Sequence, residues 1–84
     1  MMAKIKIYTT TTCPYCHQLK EYLKEKGMNF EEVVLNNHPD QVQTAIDICG
    51  SMGVPCIHIT KDDGTEAKIL GFDKEQVNLA LGIQ

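Results

Sequence analysis

Apolar positions along the chain alternate between two spacings, and the changes of spacing mark out its elements. Ile5, Ile7 and Tyr8 form a short β-prone run that empties into four threonines at 9–12, which predicts a first strand followed by a loop. Over residues 14–26 the period becomes helical. Cys16, Leu19, Tyr22 and Leu23 recur at three and four residues, while Lys20, Glu21, Lys24, Glu25 and Lys26 suit a wet face. Pro14 is tolerated in a first helical turn, which leaves Thr12 or Cys13 as the cap, and Gly27 is the stop. A second strand is expected over 29–35, centred on Phe30, Val33 and Val34. After the break at Asn36, Asn37, His38 and Pro39, residues 40–49 make a short helix burying Val42, Ala45, Ile46 and, at its end, Cys49.

Beyond the glycine-bounded turn at 50–53 and the Val54-Pro55 pair, residues 56–60 alternate as a strand. Asp63-Gly64 is a hairpin signal, so the fourth strand, with Ala67, Ile69 and Leu70, should run antiparallel to the third. Gly71-Phe72 turns the chain, and Asp73 caps a last helix whose apolar side is Val77, Leu79, Ala80 and Leu81, with Gly82 near its end. The order is β-α-β-α-β-β-α. Two opening β-to-α-to-β connections favour an α/β fold with a mixed, partly parallel sheet over an α+β arrangement with another strand order.

Length and charge narrow the functional classes. Eighty-four residues suffice for one core but not two, so one domain over 1–84 is expected. With 43% hydrophobic and 23% charged residues the chain reads as globular rather than disordered. Eight Lys and Arg against eleven Asp and Glu leave a net charge of -3, which disfavours binding to nucleic acid or anionic lipid. From Met1 through Lys6 there is no apolar run of signal-peptide length, and no later run reaches membrane-spanning length. A cytoplasmic, monomeric protein is the simplest expectation, and a reducing setting disfavours a disulfide-scaffold reading of the four cysteines.

Cys13-Pro14-Tyr15-Cys16 carries the strongest chemical signal. Three positions of separation put the two sulfurs one helical turn apart at an expected strand-to-helix junction. There the helix terminus stabilises a thiolate on Cys13, while Cys16 lies inside the first turn. The expected roles are therefore nucleophile for Cys13 and resolving thiol for Cys16, which together exchange a dithiol for a disulfide. Pro14 serves equally as a helix starter, Tyr15 either borders a docking surface or covers the first turn, and His17 reads as a helix-surface residue.

Tyr8 through Cys16, Val54-Pro55 and Gly71-Phe72-Asp73 resemble the corresponding parts of a glutaredoxin, within the thioredoxin-like superfamily, over nearly the whole chain. The resemblance implies a four-stranded mixed sheet flanked by three helices, with a cis proline at Pro55 opposite the dithiol. It also implies a thiol–disulfide oxidoreductase without a tightly bound cofactor, reducing protein or small-molecule disulfides with glutathione as the electron-donating cosubstrate. Under it Tyr15 borders the glutathione groove, Val54 offers its backbone N–H and C=O to an extended substrate, and Pro55 shapes the groove. Gly71, Phe72 and Asp73 receive the far carboxylate end of glutathione. Thr10 stands where such proteins often carry a lysine, and supplies no charge. Together with Gly71-Phe72 in place of Gly-Gly, this brings in glutaredoxin-like donors served by thioredoxin reductase as an alternative.

The other two cysteines read as separate thiols. Cys49 is expected to be a buried apolar thiol, since seven residues and a turn separate it from Cys56. Cys56 reads as an ordinary strand cysteine, with a regulatory disulfide or glutathionylation as the alternative that its place beside Pro55 suggests. Two other functional classes compete: a zinc or iron–sulfur module using all four thiolates, and a redox-inactive domain recognising extended peptides at Val54 and Phe72. Reactivity of Cys13 separates them.

Overall fold

The computed structural model describes residues 4–82; Met1, Met2 and Ala3, where the leader reading begins, and residues 83 and 84 lie outside it. Strand β1 (Lys4–Thr9) is followed by helix α1 (Pro14–Glu25), β2 (Glu31–Val34), a short 3-10 turn (Pro39–Gln41), α2 (Val42–Cys49), β3 (Cys56–Thr60), β4 (Glu66–Leu70) and α3 (Lys74–Leu81). The element order and the four-stranded mixed sheet are those expected from the sequence. Strands lie in the order β2-β1-β3-β4. β1 and β2 are parallel, as a crossover through α1 requires, and β1/β3 and β3/β4 are antiparallel.

β1 and β3 occupy the centre, which explains why apolar side chains appear on both their faces. Ile5, Ile7, Ile57, Ile59 and Ile69 point to one side, where they pack with Leu19, Tyr22 and Leu23 of α1 and Val77 and Ala80 of α3. Tyr8, Val33 and Cys56 point to the other, where Ala45 of α2 covers them and Leu35, Ile48 and Cys49 close the edge of the cluster. The β3–β4 hairpin turns through Lys61–Gly64, with Gly64 N–H donating to the Lys61 carbonyl and the Asp63 carboxylate accepting from Thr65 N–H and hydroxyl.

Three local expectations are corrected. The helix expected to begin at Asp40 starts at Val42, behind a 3-10 turn in which Gln41 N–H donates to the His38 carbonyl three residues back, the tighter bond that displaces the α-helical one. The second strand is limited to four residues; Phe30 and Leu35, just outside it, join opposite core clusters. Leu79 is 72% exposed rather than part of the apolar side of α3. At 100° per residue it stands about 200° around the helix from Val77, whereas Ala80 and Leu81 return to the sheet face.

Candidate active site

The loop between β1 and α1 is fixed before any cysteine is reached. Thr9 accepts Leu35 N–H at its carbonyl and donates its hydroxyl to Glu32 at 2.7 Å, and Thr11 N–H donates to Asn36 Oδ1 at 3.0 Å. Both ties run to β2 or its exit, so the parallel β1/β2 pair determines where the first cysteine sits, one residue past Thr12. That residue, Cys13, is the N-cap of α1 in extended conformation, with Pro14 in the first turn where its missing N–H leaves nothing unpaired. The Cys13 sulfur accepts the N–H of Cys16 at 3.1 Å, the bond that an oxygen side chain makes at most caps. Both thiols are free.

The two are unequal. Cys13 keeps 8% of its surface exposed and Cys16 2%. Burial, then the hydrogen bond to Cys13, pushes the Cys16 thiol up to about 12; charge on Cys13 adds to this, while the Thr10 backbone and Lys20 oppose it. A cavity of about 170 Å³ beside the pair is lined by Thr10, Cys13, Cys16, Lys20 and Glu32. Burial of the Glu32 carboxyl works to raise its pKa but is outweighed by the Thr9 hydroxyl and by the Lys20 ammonium at 3.0 Å, which hold it below the usual range.

Register brings the second part of the site alongside. Tyr8 pairs with Cys56 across the antiparallel β1/β3 ladder, so Pro55, one residue earlier, falls beside the Thr9 end of β1, which feeds the Cys13 loop. The Val54–Pro55 peptide is cis, Pro55 is buried and Val54 half-buried. Pro55 carbonyl accepts Gly71 N–H at 2.8 Å, which joins two of the sequence-selected segments and uses the Gly71 donor. Gly71 has φ +88°, a turn conformation that glycine adopts without a side-chain clash.

The remaining selected residues have structural engagements. Phe72 is half-buried against the main core, 5.8 Å from the Tyr22 ring. Asp73 caps α3: its carboxylate accepts the backbone N–H and side-chain amide of Gln76, which hold it below the usual carboxylate range. Tyr15 is 60% exposed. Thr10 and Val54 face a common apolar groove of about 290 Å³, walled also by Leu35, Val42, Ile46 and Met52. The sequence reading did not single out Leu35, Met52, Lys20 or Glu32 for this site. Their only signal was apolar or helix-surface spacing, and their convergence depends on the β1/β2 pairing and on the path of the 50–55 turn.

A correction concerns the other cysteines. Cys49 and Cys56, read as separate thiols, are joined in a disulfide with S–S 2.07 Å and Cα–Cα 6.2 Å. Gly50 takes a left-handed conformation at the end of α2 and the chain reverses, so the last residue of the helix meets the first of β3. The four cysteines thus fall into two pairs, and among the described residues no group of three or more His, Cys, Asp or Glu is arranged to hold a metal ion. Among them, too, no helix is long and apolar enough to cross a membrane.

Comparison with known proteins agrees with this architecture. The family model described as Glutaredoxin matches residues 5–63. A glutaredoxin-like 8.6 kDa protein in a rubredoxin operon of Clostridium pasteurianum is 38% identical over 88% of this chain and 92% of its own length. Glutaredoxin 3 of Escherichia coli is 40% identical over 69% of this chain and 70% of its own. The crystal structure of a glutaredoxin from Archaeoglobus fulgidus superposes with a TM-score of 0.77 at 27% identity, covering 95% of this chain and 87% of that one. The mixed sheet, the paired cysteines and these matches lead to one assignment: the chain belongs to the glutaredoxin family and is a thiol–disulfide oxidoreductase with a thioredoxin-like fold.

Proposed function

We propose that Cys13 and Cys16 are the working dithiol, that glutathione is the reductant, and that disulfides in proteins or small molecules are the substrates. The observation that carries this reading is the Cys13 sulfur at the cap of α1, accepting the Cys16 N–H at 3.1 Å. An acceptor at that position favours negative charge on sulfur, and the helix terminus adds to it. The Cys13 thiolate attacks one substrate sulfur, the substrate S–S bond breaks, and the departing thiolate takes a proton. Cys16 then gives up its proton and attacks Cys13 sulfur in the mixed disulfide, releasing the second substrate thiol. Forming the mixed disulfide removes charge from Cys13, and with it one of the influences that hold the Cys16 proton. Two electrons have passed to the substrate, and two glutathione molecules restore the dithiol as glutathione disulfide.

In this proposal Val54 pairs its backbone with an extended substrate, Pro55 shapes the groove, Thr10 and Tyr15 border it, and Gly71, Phe72 and Asp73 form its far end. The chain acts as one domain and a monomer, in the reducing cytoplasm. A specific feature favours a second reading in which thioredoxin reductase reduces the Cys13–Cys16 disulfide. The groove beside Val54 has no cationic side chain among its lining residues, and Thr10 offers no charge to a glutathione carboxylate.

The test is titration in glutathione redox buffers, quenched by alkylation and read by peptide mass spectrometry, with Cys13→Ser alongside. Reversible Cys13–Cys16 oxidation and loss of turnover in the variant are expected. Equal activity of Cys13→Ser and wild type would sink the proposal. NADPH oxidation coupled through glutathione reductase or through thioredoxin reductase distinguishes the two donors.

A further inference from the structure

The second pair of cysteines sits at the two ends of the segment that carries Val54 and Pro55. The Cys49–Cys56 bond closes residues 50–55 into a loop between the end of α2 and the start of β3. Little else holds that loop. Gly50 N–H donates to the Ile46 carbonyl and Pro55 carbonyl accepts from Gly71. Between these two fixings no backbone hydrogen bond among the described residues holds 51–54. Ser51, Met52 and Gly53 are exposed, and Met52, Gly53 and Val54 form one wall of the groove that faces Thr10.

We propose that Cys49 and Cys56 form a second, reversible redox couple whose state sets how firmly the Val54–Pro55 segment is held, and hence the apparent affinity for extended disulfide substrates. Two observations carry it, and a general expectation accompanies them. Each sulfur already has a partner for its reduced form: Cys49 Sγ lies 3.7 Å from the Ile69 carbonyl oxygen and Cys56 Sγ 3.6 Å from that of Ala45. A disulfide has no proton to give these carbonyls, whereas each thiol is a weak donor to one, so both states fit the same surroundings. Access is one-sided. Cys56 is fully enclosed, while Cys49 is half-buried at a helix end that opens into the exposed turn. Finally, in a thiol-reducing compartment a disulfide is more often redox-sensing than a permanent brace.

Reduction therefore enters through Cys49. The thiolate of a small-molecule thiol attacks Cys49 Sγ, the Cys49–Cys56 bond breaks, and Cys56 sulfur leaves with the electron pair and takes a proton. A second thiol attacks the small molecule's sulfur in the mixed disulfide, and Cys49 leaves and is protonated. Two thiols have become one disulfide, and the protein has gained two electrons and two protons. The freed loop samples more conformations, and substrate binding must then order it.

The claim about affinity rests on the function proposed above; the claim of a second couple does not. Cys13→Ser/Cys16→Ser, in the full chain, isolates the second pair for redox titration with alkylation and mass spectrometry. Reversible gain and loss of two alkylated cysteines, 49 and 56, is expected while the protein stays folded by circular dichroism. In Cys49→Ala on the otherwise wild-type chain, KM for a peptide disulfide should rise roughly 3- to 10-fold, the effect of lost preorganisation. The rate of Cys13 alkylation stays unchanged, and amide exchange accelerates at 50–55 more than elsewhere. Should Cys49→Ala fold poorly, wild type with both pairs reduced, set against wild type with only Cys13 and Cys16 reduced, gives the same comparison. Cysteines 49 and 56 alkylated at every potential, a bond reducible only on unfolding, or equal KM in the two states would each overturn the proposal. Failure of the Cys13 assignment shows separately, as activity retained in Cys13→Ser.

Discussion

The two cysteine pairs occupy opposite ends of helices and differ in almost every respect. Cys13 and Cys16 lie three residues apart at the start of α1, where backbone N–H groups are unpaired and the sulfur becomes an acceptor. Cys49 and Cys56 lie seven apart, one ending α2 and the other opening β3, and they meet across a turn. The N–H groups of a helix start stabilise anionic sulfur; a helix end offers carbonyl oxygens, which do not. The same residue type is thereby a free helix cap in one place, where we propose that it attacks, and closes a loop in the other.

The sharpest way to break this comparison is to exchange the effects of the pairs. Cys13→Ser is expected to bring disulfide reduction down to the uncatalysed rate, and Cys16→Ser to accumulate mixed disulfides, both followed by NADPH-coupled turnover and intact mass. Cys49→Ala should retain kcat. A variant at position 49 that silences catalysis as completely as Cys13→Ser would erase the distinction.

Stability should divide the other way. Closing a loop of this size restrains the unfolded chain by roughly 2–3 kcal/mol in the chain-entropy account. For a domain of this length that corresponds to a melting temperature lower by roughly 10–20 °C when the Cys49–Cys56 bond is lost. Calorimetry of Cys49→Ala against wild type, both with Cys13 and Cys16 reduced, measures it.

Much of the first pair's setting was readable in sequence, and almost none of the second's. The helix period from Cys16 to Leu23, Pro14 at its start and the β-prone run before it place Cys13 at a junction using neighbours within ten residues. The Asp63-Gly64 turn likewise announced the β3–β4 hairpin. Meeting of Cys49 and Cys56 depends on the reversal after Gly50 and on the register that sets Cys56 beside Tyr8, and neither leaves a periodic trace. Leu79 shows the opposite failure: it is apolar and helical, but its angle around α3 turns it to solvent. Phe72 and Asp73 were selected for a groove by resemblance, and the structure adds a core contact for one and a capping role for the other.

Two smaller effects sharpen the account of the first pair. Because Cys16 is pushed up to about 12 in the folded protein from an ordinary value of 9.0, the fold binds its proton more tightly than the unfolded chain does. This contribution to stability is fully present below pH 9 and is lost as pH rises toward about 12. Denaturant melts of the reduced protein should show that decline, and Cys16→Ser should flatten it. Glu32→Gln, which keeps shape but removes the charge facing Lys20 and Thr9, should cost only about 1 kcal/mol or less, since the pair is partly solvated. Urea melts give the value.

The cap on α1 also makes the redox state visible from the backbone. In the exchange proposed above, Cys13 sulfur that enters a disulfide should become a poorer acceptor, so the bond from the Cys16 amide is expected to weaken and the first turn that Pro14 begins to loosen. The Cys16 amide resonance thus becomes a built-in gauge: its proton chemical shift moves upfield on oxidation, and its position in a living redox buffer reads the poise of the pair without any label.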